Sequence, residues 1–268
     1  MIVHDAANRR RWGARMTEAE VSASTIPDVR TVGAAAPLRW LAAGWRDFRA
    51  HPLPSAFYGA CFATMGFLIH IVFQHAYQYV SALVTGFFLV GPFFAIGLYA
   101  LSRRRERGEP PWLAPTLDAW AANKSAIGLF ALVLGVILLV WARASLVVFA
   151  LFFTQDIPDM KDFAGRIFAV DNLEFLLVYL CVGGFFAILV FAISVVSVPM
   201  MLDRNTDGIV AVLTSLAAAS ANVPAMIVWG FIIVVLVSLG FALWFVGLIV
   251  AVPVIGHATW HAYRELVA

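Results

Sequence analysis

The sequence predicts an all-α polytopic membrane protein: six transmembrane helices in three hairpins, with both termini cytoplasmic. Three observations carry that prediction. The 268 residues are 62% hydrophobic and 13% charged, against about 45–50% and about 25% in soluble domains. The charges are also absent from long stretches: none falls between Ala50 and Ser102, or between Gly208 and Tyr263. Finally, the basic residues that remain gather on one side of the resulting spans. A soluble globular enzyme is excluded, because a single core stops growing near roughly 250–300 residues and could not hide so much apolar surface. A disordered chain and a disulfide scaffold are excluded too, since Cys61 and Cys181 both lie inside apolar runs. The net charge of +2 is too small to point to a nucleic-acid partner.

Residues 1–37 read as a flexible cytoplasmic tail, polar and Arg-bearing, with breakers at Pro27 and Pro37. They hold no apolar h-region of the kind a cleaved signal peptide needs. A transmembrane domain follows over residues 38–268. A span takes about 20 helical residues, so each long charge-free run holds two. The run Phe175–Leu202 holds one more, and so does Ser125–Gln155, which is interrupted by Arg143. The expected spans are Pro54–Phe73, Val80–Ser102, Ala126–Val148, Phe175–Met201, Pro224–Gly240 and Ala242–Ala262. The runs are continuously apolar rather than alternating, which disfavours a barrel.

Orientation follows from the basic residues. Fifteen of eighteen lie before span one, between spans two and three, after span four or after span six. The positive-inside rule makes that side cytoplasmic. The segment between spans three and four carries Asp156, Asp159, Asp162, Asp171 and Glu174 and reads as the outer loop.

A threefold repeat is expected, with units near 38–109, 113–205 and 209–268. Gly44–Pro52, Leu117–Lys124 and Leu216–Pro224 each read as a short interfacial helix ahead of a span. Trp45 and Trp120 would sit at headgroup level. Pro92, Pro199 and Pro253 fall late in the second span of each unit and are expected to kink it.

Several residues could contact lipid or a partner. Arg143 is the charged residue inside a span, and such a residue is costly unless it is paired or snorkels to water. Arg103, Arg104, Arg105 and Arg107 follow span two and suit anionic headgroups. His257 and His261 are spaced i, i+4 and share a helix face, where an interfacial belt accounts for them better than metal ligation. No carboxylate lies within any expected span, which weighs against a proton-coupled carrier. Phosphate loops, nucleophile elbows and metalloprotease motifs are absent from the sequence. No catalytic, cofactor or metal site is expected.

Gly86–Tyr99 (GFFLVGPFFAIGLY), followed by Ser102–Glu109 (SRRRERGE), resembles the hallmark segment of the DUF2189 family. Leu38–Leu41 with Gly44–Asp47, and Trp141 with Arg143, resemble further stretches of it, so the likeness spans roughly residues 38–268. That resemblance implies a multi-pass protein of the bacterial inner membrane. Some members of the family are labelled cytochrome c oxidase subunit I-like, but this chain has too few spans and membrane histidines for a haem–copper catalytic subunit. The expected function is therefore a non-catalytic accessory or assembly subunit of a respiratory or photosynthetic redox complex, contacting membrane lipids and other integral subunits. The alternative is a small carrier or lipid-handling protein with a central apolar cavity. A membrane-embedded enzyme ranks third, for want of a nucleophile or metal constellation.

Overall fold

A computed structural model describes residues 26–75, 94–153 and 172–268. Among these residues every regular element is helical, apart from one isolated antiparallel bridge between Val29 and Val267. Ten α-helices follow in order. They are α1 (Ala36–Ala50), α2 (Pro52–His75), α3 (94–106), α4 (Ala114–Leu117), α5 (Lys124–Phe152), α6 (Leu173–Ser194), α7 (Ser197–Arg204), α8 (Gly208–Ala221), α9 (Val223–Ala242) and α10 (Leu248–Leu266). A 3-10 turn over Ala119–Asn123 leads into α5.

Local sequence sets the boundaries. Pro37 opens α1, where a missing N–H costs nothing. Its buried face is Ala36, Trp40, Ala43, Gly44 and Asp47, a three-and-four spacing. His51 ends the helix, because the following Pro52 disfavours α conformation in the residue before it. Gly108, at φ 69, closes α3, with its N–H on the Arg105 carbonyl and that of Glu109 on the Arg104 carbonyl. Asp207 caps α8 by accepting from the Ile209 N–H at 2.8 Å.

Four helices are long and apolar enough to cross a membrane: Pro52–His75, Ala119–Phe152, Leu173–Arg204 and Val223–Ala242. These four correspond to expected spans one, three, four and five. Most of Val80–Ser102, including Pro92, lies outside the described residues. The sixth is shorter than expected, because the chain turns at Leu243–Gly247 rather than at Gly240 and resumes as α10. Trp244 and Phe245 take positive φ there, at 51° and 64°. Such a backbone costs about 1–3 kcal/mol per bulky residue. Packing holds it: both rings lie near His70, at 5.9 and 6.0 Å between centroids. The far end of α10 is polar, bearing His257, His261, Arg264 and Glu265.

The proline kinks take different forms. The ring of Pro199 would clash with the Val195 carbonyl in a continuous helix, and the chain breaks there instead, between α6 and α7. Ser215 Oγ accepts from the freed Val196 N–H at 3.1 Å. Pro253 stays inside α10 and frees the Ile249 carbonyl. Gly59 of α2 backs onto that carbonyl so closely that any side chain would collide with it.

The core sits at one end of the spans. Trp40, Trp229, Trp260, Tyr263, Met200 and Met201 are fully buried there, and Trp40 meets Trp229 edge-on at 6.0 Å. Helix α10 packs chiefly on α1 and α2, while α5 pairs with α6 and α8 rests on α6 and α7. Residues 28–32, which fall within the expected tail, are tied into this end. Arg30 N–H donates to the Leu266 carbonyl and Ala268 N–H to that of Asp28. Residues 1–25 and the expected outer loop around Asp159 lie outside the described residues.

Three hinge residues share one backbone conformation. His51 (φ −136, ψ 63), Asn123 (φ −139, ψ 50) and Asn222 (φ −128, ψ 35) each stand directly before a long apolar helix.

Candidate functional site

Asp47 is the hub of a buried polar cluster at the core end. It sits on the inner face of α1, turned toward α10, and is 4% exposed. Its Oδ2 accepts from Ser102 Oγ of α3 at 2.6 Å and from His261 Nε2 of α10 at 2.9 Å. Its Oδ1 pairs with the Arg105 guanidinium of α3. Ser102 Oγ also lies 2.8 Å from His257 Nδ1. On the far side of that ring, His257 Nε2 lies 2.9 Å from Ser55 Oγ of α2. Four helices thus meet through five side chains and one guanidinium.

The proton directions in this chain follow from chemistry. An ionised carboxylate only accepts, so the Ser102 hydroxyl donates to Asp47. Its oxygen is then left to accept from His257 Nδ1–H. The neutral imidazole therefore carries its proton on Nδ1, and Nε2 accepts from the Ser55 hydroxyl. The result is a one-way relay, Ser55 to His257 to Ser102 to Asp47. Burial pushes the Asp47 carboxyl up, yet the net shift is downward. Hydrogen bonds from His261 and Ser102 outweigh burial, helped by the charge of His261. Nearby, His51 is held below its usual value by burial first and by Arg105 second, with Asp47 opposing.

Further hydrogen bonds and an ion pair lie at the same end of the bundle. Trp260 Nε1 donates to Glu106 Oε2 at 3.2 Å, and Arg264 bonds Oε1 of the same carboxylate at 3.1 Å. Tyr263 donates to Asp203 Oδ2 at 2.9 Å and accepts from Arg204 Nε at 3.0 Å. Burial and the Asp203 charge push the Tyr263 hydroxyl up to about 12. Trp40 Nε1 donates to Glu265 Oε2 at 2.8 Å.

Several residues singled out in the sequence lie in or beside this cluster. Arg103, Arg104, Arg105 and Arg107 each have a partner within the protein. Arg103 donates to the Leu202 carbonyl at 2.6 Å and Arg105 holds Asp47. Arg104 pairs with Glu109 at 2.9 Å and Arg107 with Asp203 at 3.8 Å. His257 and His261 do share one helix face, but that face is turned inward. His257 is 1% exposed and touches two serines rather than lipid. Both imidazoles are committed to protein hydrogen bonds. Among the described residues no group of three or more metal-ligating side chains occurs.

Arg143 is exposed on α5. The sequence reading missed Asp47, Ser55 and Ser102. A signal for Asp47 was available: it continues the Ala36–Trp40–Ala43 stripe of α1 as a carboxylate on an otherwise apolar face. The expected spans indeed hold no carboxylate, but this one reaches the bundle from the helix before them.

Residues 80–203 match the family model DUF2189, described as a predicted integral membrane protein. That segment lies within the stretch over which the resemblance was read. No curated protein and no solved structure matches the chain.

Proposed function

We propose that this integral membrane protein is a non-catalytic accessory or assembly subunit of a bacterial inner-membrane complex, holding partner helices and lipid against its spans. The observation that carries the reading is surplus apolar surface. In the four spanning helices, between 6% and 22% of the most apolar window is buried inside the chain. Membrane helices associate by close packing rather than by a hydrophobic drive, and here most of that packing surface is left to other molecules. The non-catalytic part of the reading draws on Ser55. Its hydroxyl, the one group that His257 could activate, is fully buried at 0% exposure. The respiratory or photosynthetic setting draws on the label of some members of the resembled family.

We also keep the arrangement of three hairpins with cytoplasmic termini. The shared conformation of His51, Asn123 and Asn222 favours a repeated unit. The close approach of Gly240 and Gly247 favours a tight reversal between α9 and α10. The basic core end would then face the cytoplasm. A carrier is the second reading, favoured by an apolar groove of about 470 Å³ between α5 and α6. That groove opens sideways between two helices, not at the centre of the bundle, so the subunit reading fits better.

Extraction in mild detergent, followed by native gel electrophoresis and mass spectrometry, tests the proposal. A stoichiometric integral partner is expected. A species carrying this 29.3 kDa chain alone would refute it.

A further inference from the structure

The groove between α5 and α6, taken with Arg143, points to a second site. We propose that it binds one phospholipid, with an acyl chain along the groove and the headgroup phosphate on the Arg143 guanidinium. The site does not depend on whether partner subunits bind.

The groove is apolar and unfilled. A side chain added at Gly135 would meet nothing within 4 Å, and one at Gly183 would meet the Trp141 indole nitrogen at 3.9 Å. Leu132, Val136 and Leu139 form one wall, and all three are exposed. Arg143 continues that wall, four residues beyond Leu139 on the same helix face.

Depth and charge agree on the occupant. Arg143 stands nineteen residues beyond Lys124, the start of α5, or about 28 Å along the helix. With Lys124 at one edge of the roughly 30 Å hydrocarbon layer, Arg143 and the nearby Trp141 come close to the other edge. Among the described residues Arg143 has neither an ion-pair nor a hydrogen-bond partner, and an arginine at a bilayer edge is costly without one. An apolar partner helix would fill the groove and leave the charge unmet. A phospholipid supplies both parts, because guanidinium matches phosphate with paired hydrogen bonds.

Native mass spectrometry of the full chain tests this. Phosphatidylglycerol is titrated against a diacylglycerol with the same chains. The wild type should retain phosphatidylglycerol and release diacylglycerol. Arg143→Gln should weaken phosphatidylglycerol binding about tenfold, the value of one charge-assisted hydrogen bond, while Arg143→Lys keeps most of it. Gly135→Leu should abolish binding by filling the groove. Gly230→Leu, in open space on α9 and outside the groove lining, should change nothing and serves as the folding control. Equal binding of the two lipids, or wild-type binding by both Arg143→Gln and Gly135→Leu, would overturn the site. A measurement on the wild type alone is also decisive. Phosphatidylglycerol with a photoreactive chain end should label α5 and α6, and labelling confined to other helices, or a copurifying polypeptide labelled in the groove, would overturn the assignment.

Discussion

Asp47 and His261 stand 214 residues apart in the chain and 2.9 Å apart in the fold. That bond closes α10 onto α1. With Ser102 and Arg105 on the same carboxylate, it makes Asp47 the point where most of the polar interior is fixed. Removing one partner of a buried ion pair costs more than the pair contributes, because the remaining group is left uncompensated.

Asp47→Asn should therefore lower stability by about 3 kcal/mol, read as a shift in denaturant unfolding of the detergent-solubilised protein. His261→Gln should cost less. The double variant should fall short of the sum, since both changes break one network. Additive losses would mean that the two residues act separately.

Stability should fall in acid in two stages. His51 is lowered in the fold, so the unfolded chain takes up a proton first and stability begins to drop as pH falls below about 6.5. The Asp47 carboxyl is also lowered, and its contribution is present above about 3.9 and is lost as pH falls through the folded value. Thermal unfolding followed from pH 8 to pH 3 should show both stages. His51→Gln should shrink the upper stage without removing it, because the buried neutral His257 must also take up a proton on unfolding, and an unchanged profile in that variant would disprove the part given to His51.

Gly59→Leu should be severe, by about 3 kcal/mol or more, because its side chain would enter the Ile249 backbone. Gly128→Leu adds the same side chain into open space and should be neutral. Comparison of melting temperatures decides the point, and equal effects would show that α2 and α10 are not in close contact.

Asn222→Ala should loosen the segment before α1. The amide accepts from the Val32 N–H at 2.7 Å and donates to the carbonyls of Arg30 and Ala218, each at 3.0 Å. Loss of a buried side chain with three bonds should cost about 2 kcal/mol. Limited proteolysis between residues 26 and 35 should then speed up severalfold, and wild-type cleavage rates would contradict the role given to Asn222.

Sidedness is tested by alkaline phosphatase fusions. A fusion near Asp159 should be active and one near Glu106 inactive. The reverse pattern would invert the orientation.

The spanning helices were legible in the sequence because hydrocarbon imposes a one-dimensional rule, length without charge. The relay was not, for the opposite reason. Asp47, Ser55, Ser102 and His257 lie on four separate helices, and nothing local to any of them announces the other three. The spacing of His257 and His261 gave the shared face correctly but not its direction, since an i, i+4 pair looks the same toward lipid as toward a partner helix. The turn at Leu243–Gly247 was hidden by its own residues. Trp244 and Phe245 are among the least expected to take positive φ, so no composition signal marked it.

The closure of α10 over α1 and α2 also bears on the order of assembly. Helices α1 and α2 find their main packing partner in α10, which is synthesised long after them. Until α10 arrives, the inner face of α1 presents a carboxylate with no histidine, and α2 presents a glycine notch with no backbone to fill it. Contacts of such sequence separation form slowly, because the intervening loop must close before they gain anything. The polypeptide thus passes through an interval in which six or more helices exist but the core does not. Whatever shields that half-made interior in the cell acts on a species quite unlike the finished bundle.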